Sequence, residues 1–319
     1  MNAAVVHAYD APPRYGSFET PVAGEGETLL KVSAAGLHPI VRALANGTHY
    51  GSTGVLPFVP GVDGVGHTAD GRRVFFGSAR PLSGTFAELA VARSEMCAAL
   101  PDGLEDAAAA ALGNPGMSSW VALTARARFV AGESVLILGA TGVAGQLSVQ
   151  IARRLGAKRI VAAGRNPAAL ASLQKLGADA VISLEQERAA LTAAFRDALA
   201  GGVDVVLDYL WGAPAEALLA AISQKGLQHK TARIRYIEIG ESAGKTVSLA
   251  GATLRSAGLE LMGSGFGSAS MEQIYSALKE FFAEAAKSPF AIDVKTAPLR
   301  DVEQVWVAPE RGTRVVFLP

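Results

Sequence analysis

Three glycines at three-residue spacing, Gly139, Gly142 and Gly145, sit in the stretch VLILGATGVAGQLSVQIARRLGAKRIVAAGRN at residues 135–166. Such a stretch can hold a phosphorylated nucleotide. The chain must turn sharply after a strand, its backbone must approach a pyrophosphate, and the next helix must pack close to the strand; small residues meet all three demands. A helix starting there offers unpaired N–H groups and the positive end of its dipole to the phosphates. Read as a dinucleotide fingerprint, the loop is Ala140-x-Gly142-x-x-Gly145, with Ala140 in place of the first glycine. The candidate cradle is Gly139, Ala140, Thr141, Gly142, Val143, Ala144 and Gly145. A tight turn with no ligand is the alternative.

A second set of residues lies one strand further on. A site for NAD places Asp or Glu about 20 residues past the loop, to bind the ribose hydroxyls. Here Ala163 and Gly164 stand in that place, followed by Arg165 and Asn166. An acid would repel a 2′-phosphate, whereas a guanidinium can bind one bidentately. Gly164, Arg165 and Asn166 are therefore candidate cofactor contacts, and the cofactor expected is NADPH. One charge-assisted contact of ~1.5–3 kcal/mol would favour it over NADH by about 10- to 100-fold. The alternative is a solvated loop arginine.

The elements that must position these groups are legible around them. From residue 116 onward, strand-like runs (SVLIL, RIVAA, DAVIS, VDVVLD, RIRYIEIG, LELMG) alternate with Ala- and Leu-rich segments of helical length. Val143, Leu147, Ile151 and Leu155 recur every four residues and share one helical face. Alternation of this kind predicts a doubly wound parallel sheet covered by helices on both sides, over residues 116–266. Residues 1–115 have another texture, short runs such as TLLKV, RRVFF and TFAELAVA broken by Gly- and Pro-rich turns. That predicts a mainly β domain. A last helix, MEQIYSALKEFFAEAA, and two strand candidates, FAIDVK and TRVVFL, follow; residues 267–319 are expected to complete the first domain. The fold class is thus α/β with a second, mainly β domain.

The totals bound the partners. The chain has 319 residues, half of them hydrophobic and 18% charged, the balance of a globular protein able to bury a large core. Its 29 basic and 29 acidic residues cancel, and the isoelectric point is near 7.0. Nothing here attracts a polyanion, so neither nucleic acid nor an anionic membrane is expected as partner. The single cysteine, Cys97, permits no intrachain disulfide and fits a reducing, cytoplasmic setting. No signal peptide is expected from MNAAVVHAYDAPPRYG, and no run approaches the roughly 20 apolar residues of a membrane span.

The order of motifs resembles the medium-chain dehydrogenase/reductase superfamily, and within it the zinc-free NADPH:quinone oxidoreductase branch. The resemblance runs through AAGLHPIVRALANGTHY, LPFVPGVDGVG, GTFAELAVA, LPDGLEDAAAAALGNPGMSSWVAL, GATGVAGQLSVQIARRLGA and GTRVVFLP. It implies a GroES-like β domain, a Rossmann domain, and an active site in the cleft between them. Zinc-dependent relatives carry Cys, His and Cys ligands where this chain has His38, Val62 and Asn114. Valine cannot bind a metal and asparagine is a poor zinc ligand, so no metal is expected. The zinc-free branch often carries Asn at the first position and Asp three residues later; this chain departs at both, with His38 and Val41. Tyr50 matches a tyrosine lining the family's substrate cleft, and Ser118 stands where relatives usually have Thr beside the nicotinamide. Gly240 and the Gly263-Ser264-Gly265 turn match loops close to the cofactor.

The activity implied is hydride transfer from NADPH to a quinone or an α,β-unsaturated carbonyl, in a homodimer paired through the sheet-edge stretch LELMGSGFG. The protein must align donor and acceptor, exclude water and offer a hydrogen bond to the developing oxyanion. Candidate donors are the Tyr50 hydroxyl and the His38 imidazole; the alternatives are a cleft-wall aromatic and a structural histidine. Two rival functions remain at this point. Tyr275 and Lys279 have the Tyr-x-x-x-Lys spacing of short-chain carbonyl reductases. An NADPH-binding redox sensor, or a soluble protein without turnover, could use the same fold.

Overall fold

The computed structural model describes residues 1–78, 80–223, 232–265, 267–308 and 312–319. They form two compact units, Met1–Pro115 with Leu278–Pro319, and Gly116–Ala277.

In the first unit β1 (Asn2–Val5) pairs antiparallel with β2 (Arg14–Ser17). The long β3 (Glu27–Gly36) is followed by α1 (Pro39–Ala45), then β4 (Asp63–His67), β5 (Arg73–Gly77), β6 (Leu89–Arg93), β7 (Cys97–Ala99) and α2 (Asp106–Val121), which runs past the boundary at Pro115. β3 can pair with several neighbours because it is long and irregular: its register to β4 shifts between Val32 and Ala34, a bulge that bends it.

In the second unit come β8 (Ser134–Leu138), α3 (Val143–Arg154), β9 (Arg159–Gly164), α4 (Pro167–Leu173), β10 (Ala180–Ser183), α5 (Arg188–Ala200), β11 (Val205–Asp208), α6 (Gly212–Ile222), β12 (Arg233–Glu238), α7 (Gly251–Ser256) and β13 (Gly258–Gly263). The sheet order is β10-β9-β8-β11-β12-β13, parallel throughout. This is the doubly wound order whose direction reverses between β8 and β11. Every residue of β8 is buried, as a strand covered on both faces requires. On one face Leu136, Val161, Val206 and Tyr236 pack with Leu191 and Phe195 of α5 and Leu218 of α6.

The chain then enters α8 (Met271–Lys287), β14 (Asp293–Pro298), α9 (Val302–Val307) and β15 (Thr313–Leu318). β15 lies antiparallel to β3, pairing Val316 with Gly36 and Phe317 with Ala35, and β14 lies parallel to β15. The first unit's sheet has the order β14-β15-β3-β4-β5-β7, with β6 also on β3.

Several strand expectations differ from the structure at their ends; RIRYIEIG, for one, stops as a strand at Glu238. FAIDVK begins too early, because Phe290 stacks on Phe281 of α8 at 5.2 Å instead of entering the sheet. In TFAELAVA the first residues stay outside β6: Phe86 is buried in the core and Ala87 makes only an isolated bridge to Ala3. VDVVLD starts as a strand only at Val205, although Asp204 already bonds both neighbours, its N–H to Ser134 O at 2.9 Å and its O from Arg235 N–H at 3.0 Å. Phe266, within LELMGSGFG, lies outside the described residues.

Candidate dinucleotide site

The loop after β8 is built by backbone. Gly139 sits at φ +84°, a conformation only glycine adopts freely, so the sharp turn falls on Gly139. The fingerprint is therefore shifted from the sequence reading: Ala140 does not replace the turning glycine but is buried behind it, its N–H donated to Ala163 O at 2.9 Å. Gly145 has no room for a side chain. A Cβ there would lie 2.3 Å from Gly139 O and 2.5 Å from Ala140 Cα. Gly142 differs: a Cβ would meet only Gly139 O, at 3.7 Å, and the residue is exposed. It is the N-cap of α3, with no side-chain cap, and Gln146 N–H is the first donor returned to its carbonyl. The N–H groups of Val143, Ala144 and Gly145 thus point out of the helix start unpaired by the helix. Thr141 has its carbonyl bound by Gln146 Nε2 at 3.0 Å. This cradle fits a pyrophosphate, close enough for backbone approach and positive at its mouth.

At the end of β9, Gly164 occupies the place of an acid because Thr141 fills it: a Cβ would lie 2.4 Å from Thr141 Cγ2. Arg165 is exposed at the strand's carboxyl end. Asn166 is committed locally, its Oδ1 accepting Ala169 N–H at 3.0 Å as the cap of α4. Gly164 and Arg165 stand beside the loop; Asn166 has its side-chain oxygen occupied.

Beyond β11 the turn Tyr209-Leu210-Trp211 faces the loop across the strand-order reversal. Leu210 and the Tyr209 Cβ lie 3.1 and 3.2 Å from where a Gly139 Cβ would be. The turn is held by Asp208, fully buried, whose Oδ1 accepts Leu210 N–H at 2.8 Å and Trp211 N–H at 3.0 Å, while Oδ2 accepts the Tyr236 hydroxyl at 2.6 Å. Burial pushes the Asp208 carboxyl above the usual range despite these donors, and pushes the Tyr236 hydroxyl well up. Glu238, opposite Asp208 in register, is pushed up by burial, then by Asp208 and Glu241. Gly240 packs on this turn, its N–H on Asp208 O at 3.2 Å. Ser119 of α2 reaches the same place, its Oγ 2.8 Å from the Tyr209 hydroxyl, and Ser118 is its half-buried neighbour on that helix. Gly263, Ser264 and Gly265 follow the edge strand β13, with Ser264 N–H on Glu238 O at 2.7 Å and Gly263 O accepting Arg126 Nε at 2.9 Å. Nothing crowds Gly263 or Gly265, so packing does not demand glycine there.

In the first unit, His38 caps the start of α1 and is 1% exposed. Its Nε2 lies 3.1 Å from Asp63 Oδ1, and its Nδ1 has no partner. Tyr50 is 82% exposed on the loop after α1, its ring 4.2 Å from that of His49. No hydrogen bond or ring contact joins Tyr50 to His38 among the described residues. Val41 is core, fully buried. Of the three positions that hold zinc in metal-dependent relatives, His38 has one nitrogen engaged by Asp63, and Val62 packs against the core. Among the described residues no three His, Cys, Asp or Glu side chains converge as a metal site needs.

Two residues of consequence escaped the sequence reading. Tyr209 was findable, since any residue just past the carboxyl end of a strand at the reversal faces the crevice. Asp63 was not, because its partner His38 is 25 positions away and only the fold joins them.

The fold joins a doubly wound sheet carrying this loop to a second, mainly β unit, and the comparisons find the same combination in known oxidoreductases. A family model described as zinc-binding dehydrogenase matches residues 144–283. The probable NADPH-dependent quinone reductase tdiC of Emericella nidulans is 27% identical over 363 aligned positions spanning all of both chains. The quinone oxidoreductase of Homo sapiens is 36% identical over 154 residues, 45% of this chain and 46% of that protein. The crystal structure of the quinone oxidoreductase from Thermus thermophilus, solved also as its complex with NADPH, superposes with a TM-score of 0.81 at 26% identity, covering both chains completely. Over its whole length the chain is thus similar to an NADPH-dependent quinone reductase, and over residues 144–283 to the zinc-binding dehydrogenase family model. Tyr275 and Lys279, the pair of the short-chain alternative, both lie on α8, with Lys279 exposed.

Proposed function

We propose that this protein transfers a hydride from NADPH to a quinone or an α,β-unsaturated carbonyl, without zinc. The observation that carries the reading is the uncapped start of α3 at the Gly139–Gly145 turn, with Gly164-Arg165 where an NAD site has an acid. The names of the relatives support it, and one solved relative is a complex with NADPH. In this reading the second unit is the Rossmann NADP-binding domain and the first the GroES-like substrate domain.

NADPH, when bound, supplies the hydride. The residues named here do the rest. The α3 N–H groups hold the pyrophosphate, and Arg165 binds the 2′-phosphate. The turns at Gly240 and at Gly263-Ser264-Gly265, with Ser118, line the nicotinamide end. Tyr50 and His38 are the candidate donors to the developing oxyanion. An electron-poor quinone or enone accepts hydride without a Lewis acid, and one proton completes the product. The donor set His38, Val62 and Asn114 does not suit zinc.

The test is direct. Purified protein treated with chelator is mixed with NADPH and 1,4-benzoquinone, 9,10-phenanthrenequinone or a panel of enones, and absorbance is followed at the nicotinamide band. Protein-dependent loss that survives chelation is expected. No loss with any acceptor, while NADPH still binds, would favour the sensor reading instead.

A homodimer belongs to the proposal. β13 ends the strand order, so one of its edges is open to pairing, and Leu261 on it is 37% exposed. Sedimentation showing only monomer would count against it. A cytoplasmic location accords with the single cysteine. Among the described residues no helix is long and apolar enough to cross a membrane.

A further inference from the structure

We propose that Thr141 is a second specificity-determining residue for NADPH: its side chain denies an acid the end of β9, and its hydroxyl joins Arg165 on the 2′-phosphate. The proposal rests on the reading of this turn as a dinucleotide site.

The space above Gly164 belongs to Thr141. A Cβ at Gly164 would lie 2.4 Å from Thr141 Cγ2, 2.8 Å from its Oγ1 and 3.1 Å from its Cβ. Rotation does not clear it. The two γ atoms of a threonine fill two of the three staggered positions, and both positions now filled face Gly164. Every staggered rotamer therefore leaves at least one of them occupied. The backbone of Thr141 is held as well. Ala163 O accepts the N–H groups of Gly139 at 3.0 Å and Ala140 at 2.9 Å, which pins the turn to β9. The Thr141 carbonyl accepts Gln146 Nε2 at 3.0 Å, which pins it to α3.

The position matters because of where Gly164 stands. It is the last residue of β9, the strand beside β8 in the parallel sheet. There a dinucleotide site of this fold puts the acid that binds the ribose hydroxyls. The φ of Gly164 lies outside the left-handed region, so its backbone would accept a side chain; Thr141 is what excludes one.

The same contact leaves a donor beside Arg165. Thr141 is half-buried, and among the described residues its hydroxyl makes no hydrogen bond within the protein. Arg165 follows Gly164 in the chain and is exposed. A 2′-phosphate at the end of β9 thus meets one hydroxyl and one guanidinium, both donors to an anion. A ribose without the phosphate offers neither of them a charge.

The experiment measures dissociation constants of NADPH and NADH by titration calorimetry on variants of the full chain. Thr141→Val keeps the shape and removes the hydroxyl. NADPH should weaken by about 10-fold, the low end for a hydrogen bond to a charged group, and NADH by no more than about threefold. Thr141→Ser keeps the hydroxyl and should hold the preference within about twofold of wild type. A merely structural role would move both dinucleotides alike in Thr141→Val, or neither, and either result overturns the hydroxyl contact. The exclusion has its own test. Gly164→Asp alone should gain no affinity for NADH, whereas Gly164→Asp combined with Thr141→Gly should bind NADH at least about 10-fold tighter than Gly164→Asp does. Equal NADH affinity in the two would overturn the exclusion. Thermal melts repeat the test without ligand: Gly164→Ala should lower Tm in wild type and by less than about half as much in Thr141→Gly, and equal drops would overturn it. Wild-type protein that binds neither dinucleotide would overturn the NADPH reading and this proposal with it. A wild-type preference for NADPH that persists undiminished in Thr141→Val would overturn this proposal alone.

Discussion

Replacing Gly145 with alanine puts a methyl carbon 2.3 Å from Gly139 O and 2.5 Å from Ala140 Cα. Both neighbours are backbone and cannot rotate away. Non-bonded carbon contacts settle at ~3.5–4.0 Å, so the first turn of α3 must retreat by about 1 Å. Overpacking of this kind costs about 1–3 kcal/mol, and the helical gain of alanine over glycine returns at most about 1 kcal/mol. A net loss of about 1–2 kcal/mol lowers Tm by about 2–8 °C for a unit of this size. The retreat also misaligns three N–H groups aimed at the phosphates, so NADPH should weaken by about 10-fold or more. Gly142→Ala separates the two effects. Its methyl meets only Gly139 O at 3.7 Å, and the native φ of −79° suits alanine. Loss of a glycine N-cap should cost less than about 1 kcal/mol. Yet the methyl stands where the pyrophosphate must approach. Thermal melts and NADPH titrations should therefore show Gly145→Ala failing in both and Gly142→Ala failing mainly in binding. Wild-type NADPH affinity in Gly142→Ala would refute the placement of the phosphates on this turn. Wild-type Tm in Gly145→Ala would refute the close approach of α3.

Arg165→Ala should reduce the preference for NADPH over NADH by about 10-fold, measured as the ratio of the two dissociation constants; an unchanged ratio would assign the 2′-phosphate to another group. Glu238→Gln tests the raised carboxyl beside Asp208. A folded-state pKa above the unfolded one contributes stability at acid pH that is lost as pH rises through the folded value. The variant should therefore melt above wild type at pH ~8, with the gap closing below pH ~4, and a pH-independent gap would rule out titration as its cause. His38→Ala leaves buried Asp63 without its ring partner and should cost about 1–3 kcal/mol, read as a Tm drop of about 2–8 °C; an unchanged Tm would contradict the pairing seen at 3.1 Å.

The parallel sheet was legible because its signal is local. SVLIL is buried along its whole length, and the helix that follows carries Leu147 and Ile151 on its inner face. The turn was legible as a group of small residues, though not which of them turns: Gly139 and Ala140 are both small, and only φ separates their jobs. The β unit was harder. Phe290 looks like a strand residue because it is apolar, but it serves α8, and no local pattern distinguishes the two uses. The side-chain groups were hardest. Tyr209 meets Ser119 across 90 positions and Ser148 across 61, while His38 and Asp63 meet across 25. Such pairings exist only after the strands are ordered. Tyr50 makes the opposite point, since its match to a family position says nothing of the 82% exposure it has here.

The two ends of the crevice are built from different materials, and that difference has consequences. On the α3 side the contacts are main-chain N–H groups, and the glycines matter through what they lack. A change there acts by adding atoms, so nearly any side chain at Gly145 does the same damage, whatever its chemistry. On the β11 side the turn is held by named oxygens: Asp208 under Leu210 and Trp211, and the Tyr209 hydroxyl between Ser119 and Ser148. A change there acts by removing one proton or one lone pair, and its effect depends on chemistry and leaves volume aside. Trp211 shows how far that side is held, since it sits at φ +54° with a bulky side chain, a conformation of order ~1–3 kcal/mol in cost that Asp208 and its register on β11 must offset. Conservative substitutions should therefore be silent at neither end, but for opposite reasons: Gly145→Ala disturbs the turn because a methyl is too much, and Tyr209→Phe disturbs the other side because the hydroxyl beside Ser119 and Ser148 is missing.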